Sequence, residues 1–363
     1  MGLFKNLFGQ KNTAITSYPD FWAWFKNHEK DFFNVVKNRG AIEQEFFNKL
    51  SPKLAELKTG FYFLTGMYND SIVELIFTAD GSVKNMVFVE EIVNAAPNIP
   101  GWKFTALKPA LDITNVGIKM GGYEFKSENL SFCANEVAGY ADEIDITVFY
   151  QPFKPEDQGT ITNGIYVFLD NYLGELEFAT TIDNLQIGNP EHAEGELVPI
   201  TKLKDFLNWR QKEFVEKYEG ILHSTEDDTY ASLEAILSNG NPLIAIVNTD
   251  ILSWESKASH PWILDVEIKY GNSSNNGMPD DKMYQLLNVI EDEITSELKD
   301  ADGYLNIGRE TADGLRTIYF ACKDFRKPSR TLHNIQKKYA SNLQVDYNIY
   351  KDKYWQTFNK YIN

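Results

Sequence analysis

The stretch Pro261-Trp-Ile-Leu-Asp-Val-Glu-Ile-Lys-Tyr270 decides the fold class. Trp262, Leu264, Val266 and Ile268 alternate with Asp265, Glu267 and Lys269. That is the period-two pattern of a strand with one face covered. Residues 271–277 follow as a polar, Asn/Ser-rich loop, and Pro279 opens a helix to residue 298 on a Tyr284, Leu287, Ile290, Ile294, Leu298 stripe. A turn at 300–303, a strand over 304–310, a hairpin turn at Ala312-Asp-Gly314 and a partner strand over 315–322 come next. A helix over 328–340 and a strand over 343–350 close the chain. The order β-α-β-β-α-β is the split βαβ arrangement of ferredoxin-like domains. It predicts a four-stranded antiparallel sheet with both helices on one face.

The first half has related ingredients. Ser17-Tyr-Pro-Asp20 caps a helix rich in Phe21, Trp22, Trp24, Phe25, Phe32 and Phe33, a packing face rather than an aromatic cage. An amphipathic helix over 42–57 follows. Strands are predicted over 61–64 and 72–77, bridged by Asn69-Asp70, then a helix over 84–96 and strands over 102–107, 130–135 and 144–150. A helix over 160–172, one long strand over 176–187 and a helix over 203–218 complete this half. In the stretch 220–242, Thr225 with Asp228 resembles a capping box before a helix over 230–237, stopped by Asn239-Gly-Asn-Pro242. The expected fold class is α+β, with two α/β-sandwich domains. The expected division is an N-terminal arm at 1–16, an α+β domain at 17–219, a helical connector at 220–242 and the ferredoxin-like domain at 243–363.

The chain has 363 residues, 43% hydrophobic and 14% aromatic, with 35 basic and 52 acidic side chains for a net charge of −17. This is globular composition, too apolar for a disordered acidic chain. The charge is unevenly placed. Residues 51–300 hold 17 basic and 41 acidic side chains, net −24; residues 1–50 hold 7 and 5, net +2; residues 301–363 hold 11 and 6, net +5. A generic nucleic-acid binder is disfavoured, because phosphate binding needs clustered Lys and Arg. The helix stretch with Arg326, Lys327, Arg330, Lys337 and Lys338 departs most from that rule.

Cys133 and Cys322 lie in apolar surroundings and read as buried, reduced thiols. No run of about 20 apolar residues spans a bilayer. The N-terminal Met1-Gly-Leu-Phe-Lys-Asn-Leu-Phe-Gly9 is amphipathic but too short for a signal peptide, and Asn6 breaks a myristoylation motif. A cytoplasmic location is expected.

At Asn276-Gly-Met-Pro279, Ile290-Glu-Asp292, Ile307-Gly-Arg309, Thr311-Ala-Asp-Gly-Leu-Arg316, Tyr319-Phe320 and Asp352-Lys-Tyr-Trp-Gln-Thr-Phe358, the chain resembles a bacterial family of unknown function, domain of unknown function 695. The likeness covers roughly residues 245–363 and implies fold and bacterial context, with no activity to carry over. A more distant likeness, in element order, acidity and an aromatic C-terminal end, is to the ribonuclease E inhibitor protein family.

Motifs for hydrolase, zinc-protease, phosphate-loop and dinucleotide chemistry are absent from the sequence. His28, His192, His223, His260 and His333 are isolated, so no metal or cofactor is expected. Glu191-His192-x-Glu194-Gly-Glu196 reads as a solvated loop or a weak cation site. Glu291-Asp292-Glu293 fans out about 100° per residue on a helix, which opposes a converging catalytic pair. Arg309 and Arg316 flank the Ala312-Asp-Gly314 turn and are placed to share a sheet face. Two guanidiniums there suit a carboxylate or phosphate, the alternative being local pairing with Glu310, Asp313 or Glu267. Trp254, Trp262 and Trp355 are candidates for an aromatic surface near the same sheet, or for core packing. The candidate binding set is therefore Arg309, Arg316, Tyr319, Trp254 and Trp355, with no catalytic residue. The leading expectation is a non-enzymatic interaction or regulatory protein offering an acidic surface to a basic protein partner. The alternative is a small-ligand-binding protein or enzyme with an anion site near Arg309 and Arg316 or at the domain junction.

Overall fold

A computed structural model describes residues 14–271 and 275–362. Most of the expected arm at 1–16 and part of the loop at 271–277 lie outside the described residues. The chain divides into two compact units, residues 1–109 and 110–363. The boundary expected at 220–242 falls inside the second.

The first unit starts with α1 (Tyr18–Lys37), whose Ser17 hydroxyl accepts from the Asp20 amide at 3.3 Å, with Pro19 in the first turn. A wide helical turn, Glu43–Phe47, leads into α2 (Asn48–Leu57). Strands β1 (Tyr62–Asn69) and β2 (Ile72–Thr78) are antiparallel. Helix α3 (Val83–Asn94) then carries the chain to β3 (Trp102–Ala106), parallel to β2. A parallel pair needs such a crossover. The sheet order is β1-β2-β3. Phe21, Trp22, Phe25, Phe32 and Phe46 are buried, and Phe32 stacks on Phe46 at 4.3 Å. The Trp22 indole N–H donates to Ile92 O at 2.7 Å, which satisfies the one polar atom of a buried ring.

The second unit holds two sheets. After the small hairpin β4 (Ile118–Met120) and β5 (Tyr123–Phe125) come β6 (Leu130–Asn135), β7 (Asp145–Tyr150), α4 (Gln158–Leu173), α5 (Glu175–Thr181), β8 (Asn184–Gly188), β9 (Val198–Pro199) and α6 (Leu203–Tyr218). The sheet order is β8-β7-β6-β9. Its core joins Phe132, Ile146 and Val148 to Ile165, Phe168 and Leu203. The long strand expected over 176–187 is corrected here. Gly174, at φ 84°, turns the chain, the Phe178 amide donates to Gly174 O, and Thr180 Oγ1 donates to Leu176 O. That helical turn packs Phe178 against Tyr166 and leaves strand only from Asn184.

The rest of the unit is β10 (Tyr230–Ile236), β11 (Pro242–Asn248), α7 (Thr249–Leu252), β12 (Trp262–Lys269), α8 (Asp281–Glu297), β13 (Tyr304–Ala312), β14 (Leu315–Cys322), α9 (Arg326–Tyr339) and β15 (Gln344–Lys351). The sheet is six-stranded, ordered β10-β11-β13-β14-β12-β15, with every neighbouring pair antiparallel. The expected connector helix over 230–237 is strand β10, every residue of which is paired to β11. The expected capping box does not form: the Thr225 amide donates to Asp300, and Asp228 is taken by His223 and Asn248. Register places Arg316, Ile268 and Val345 on one sheet face, together with Val266 and Tyr347. Arg316 reaches Asn288 of α8 there, and Tyr347 donates to Ser329 O of α9, so both helices pack on that face. The opposite face carries Ala245, Val247, Ile263, Leu305 and Ala321 under Trp355 and Phe358.

Candidate functional site

The turn between β13 and β14 has Asp313 at φ 49° and Gly314 at φ 76°, the left-handed pair of a tight hairpin. A register shift between Asn306 and Gly308 brings Arg309 opposite Ile318, the face Arg316 also uses. The two arginines converge as expected. Their acid comes from α8: Arg309 Nη1 lies 2.7 Å from Glu291 Oε1, and Arg316 Nη1 lies 3.5 Å from Oε2. None of the local acids Glu310, Asp313 or Glu267 takes that role. Arg316 also donates to Asn288 Oδ1 at 2.8 Å and Thr311 Oγ1 at 3.2 Å, with its guanidinium over the Tyr284 ring. Burial pulls Arg316 below the ordinary arginine value and Glu291 opposes that pull. Its side chain is 1% exposed. The cluster clamps α8 to the hairpin.

The other three candidates lie on the opposite face. The Tyr319 hydroxyl donates to Glu310 Oε2 at 3.2 Å, and its ring meets Phe358 edge-on. Trp355, 1% exposed, donates its indole N–H to His260 O at 3.0 Å. Trp254 sits between His223, His260 and Trp355. The sheet thus divides the five candidates into an arginine pair and an aromatic set, and Trp355 is a core residue rather than part of a surface. His260, an isolated histidine in the sequence, lies beside Trp254. It is fully buried, and burial lowers it to about 4. Ser259 Oγ donates to Ser256 O and so accepts from His260 Nδ1, leaving Nε2 without a partner among the described residues.

Within the second unit, the seam between its two sheets holds a basic site. Residues 351 and 353 emerge from the end of β15 on the same side. Lys351 Nζ lies 2.7 Å from Asp183 Oδ1 and donates to the carbonyls of Thr180 and Thr181 at 2.8 and 3.3 Å. Lys353 Nζ lies 2.8 Å from Asp183 Oδ2 and donates to Asp142 O. The Ile144 amide donates to the same Asp183 carboxylate at 2.6 Å. Burial lowers the Lys351 ammonium to about 8, against the pull of Asp183. Nearby, Asp142 accepts from Lys217, Tyr218 and Tyr354. Burial pushes its carboxyl up, but these donors outweigh it and hold the group below the ordinary range.

These lysines line a pocket of about 310 Å³ with Lys323 and Arg326 from the β14–α9 connection. Leu176, Phe214, Val215, Pro261, Trp262 and Phe325 form its apolar walls. Arg326 pairs with Asp324 at 3.0 Å. Lys323 is exposed and makes no ion pair among the described residues. The pocket therefore combines cations, hydroxyls and aromatic carbon, a lining suited to an organic anion. Lys351 and Lys353 were not singled out in the sequence, and their i, i+2 spacing at the end of a strand is the signal that marks them.

A larger, open cleft of about 580 Å³ lies over β6–β8, lined by Cys133, Asn135, Asp145 and Gln186, with His192 and Glu194 from the loop that follows. Among the described residues, no group of three His, Cys, Asp or Glu side chains is placed to hold a metal ion. No described helix is long and apolar enough to cross a membrane.

Residues 235–362 match DUF695, a family of unknown function. Searches of curated proteins and of solved structures found no match. The likeness to the ribonuclease E inhibitor family finds no support in these comparisons.

Proposed function

We propose that residues 110–363 act as a small-ligand-binding unit, with the seam pocket as its site and an organic anion as its ligand. The observation that carries this reading is the convergence of Lys323, Arg326, Lys351 and Lys353 on one pocket in a chain of net charge −17. Low-dielectric walls strengthen the field of such a site and draw anions to it. Lys351 and Lys353 are held by Asp183 and set the floor. Lys323 supplies the accessible charge, and Trp262 and Phe325 supply the apolar contact. This corresponds to the junction alternative of the sequence reading rather than to an anion site at Arg309 and Arg316, where both guanidiniums are turned onto Glu291. Titration calorimetry with phenyl phosphate and with inorganic phosphate tests it. Phenyl phosphate is expected to bind more tightly, and Lys323→Ala to weaken both about tenfold, the loss of one charge-assisted contact. No heat with either probe, or equal affinity in Lys323→Ala, removes the reading.

A second reading, recruitment of a basic protein partner, rests on the exposed loop carboxylates Glu191, Glu194 and Glu196. A pull-down at low and high salt checks it, since rim charges act through screened electrostatics.

A further inference from the structure

Among the described residues, strand β1 pairs with β2 alone and stands at an edge of its sheet. Edge strands normally carry charges, prolines or a cover against pairing with another chain. From Tyr62 to Asn69 there is no charged residue and no proline, and a bulge between Met67 and Asn69 interrupts only the end of the strand. Tyr62, Leu64, Met67 and Tyr68 are 53%, 49%, 38% and 56% exposed. On the adjoining strands, Glu74 and Lys103 pair with one another at 2.8 Å.

The strand is also self-complementary. Over its regular part, up to the bulge between Met67 and Asn69, an antiparallel two-fold about Thr65 sets Phe63 opposite Met67, Leu64 opposite Gly66 and Thr65 opposite itself. An aromatic–thioether pair and a Thr–Thr pair are favourable cross-strand neighbours. In a chain of net charge −17 a second copy is repelled almost everywhere, and an uncharged edge is where that repulsion is least.

We propose that β1 is a self-association edge. A second copy adds its own β1, antiparallel and centred on Thr65, to make one continuous six-stranded sheet. The backbone groups left unpaired at the edge supply the hydrogen bonds, and the exposed Tyr and Leu side chains supply the apolar burial. Because net charge opposes association, added salt strengthens the dimer instead of weakening it.

Sedimentation velocity of the full chain, from low micromolar to several hundred micromolar, is the test. A concentration-dependent dimer that tightens with salt is expected. Leu64→Lys and Tyr68→Lys are expected to weaken it about tenfold or more, since a lysine on an edge strand opposes its pairing with another chain. Both positions are exposed, so an unchanged circular dichroism spectrum confirms that the variants fold. Thr65→Cys is expected to give an intermolecular disulfide on oxidation, because directly opposed Cα atoms in such a pair lie about 5 Å apart. The native Cys133 and Cys322 are buried. A monomer at every concentration overturns the proposal, even if β1 proves to bind a strand of another protein. So does a dimer that is insensitive to Leu64→Lys, or one in which Thr65→Cys does not cross-link.

Discussion

Arg309 of β13 reaches across 2.7 Å to Glu291 of α8, and that one carboxylate also faces the buried Arg316. Two cations on one acid hold helix to hairpin. Removing the acid leaves Arg316 buried and uncompensated. Glu291→Ala is therefore expected to cost about 3–5 kcal/mol, the range for breaking a buried pair. Arg309→Met, at a partly exposed position, is expected to cost less than half of that. Urea denaturation of both variants, compared at constant slope, checks the asymmetry.

Asp183 plays the corresponding role at the seam, where it meets Lys351, Lys353 and the Ile144 amide. Asp183→Ala would strand two lysines and a backbone donor. A loss of about 3–5 kcal/mol is expected. The loss should appear in residues 110–219 and 243–363 together, read by hydrogen exchange in both segments.

Glu143 gives a pH prediction. Burial, then repulsion from Asp145 and Asp183, raises its carboxyl from 4.5 to about 6. Between those values the native state keeps a proton that the unfolded chain has released, so this group makes stability fall as pH rises through the window. Glu143→Gln is expected to raise the thermal midpoint at pH above about 6 and to leave it unchanged at pH below about 4.5. A midpoint that rises equally at both ends would contradict the assignment.

Gly277 has φ 79°, and a Cβ there would meet Asp313 Cα at 2.6 Å. Its carbonyl accepts from the Gly314 amide at 2.7 Å. Backbone cannot give way as a flexible side chain can. Gly277→Ala is expected to cost more than about 1 kcal/mol, the ordinary left-handed penalty, because the clash adds to it. Chemical denaturation measures it.

Much of the second unit was legible before folding. The order of β12, α8, β13, β14, α9 and β15 follows from periods of two and 3.6, and the turn from Asp313-Gly314. The convergence of Arg309 and Arg316 was legible too, because a hairpin relates residues on either side of its turn. Strand β10 was not legible. Five of its last six residues are exposed, so it lacks the buried alternation that marks a strand, and only pairing with β11 makes it one. The turn of helix at α5 was missed for the opposite reason: its apolar residues fit either period until Gly174 redirected the chain.

The amino-acid sequence alone determined local periodicity, turn chemistry, two buried cysteines and the placement of charge along the chain, because each depends on residues close together in sequence. Tertiary structure decided which charges meet. Glu291 answers Arg309 from 18 residues away, and Lys353 finds Asp183 across 170. Coulomb attraction acts through space, and spacing along a chain does not report distance in the fold. The acidic bulk charge was therefore visible from the outset, whereas the basic pocket at the seam exists only once five distant segments have packed together.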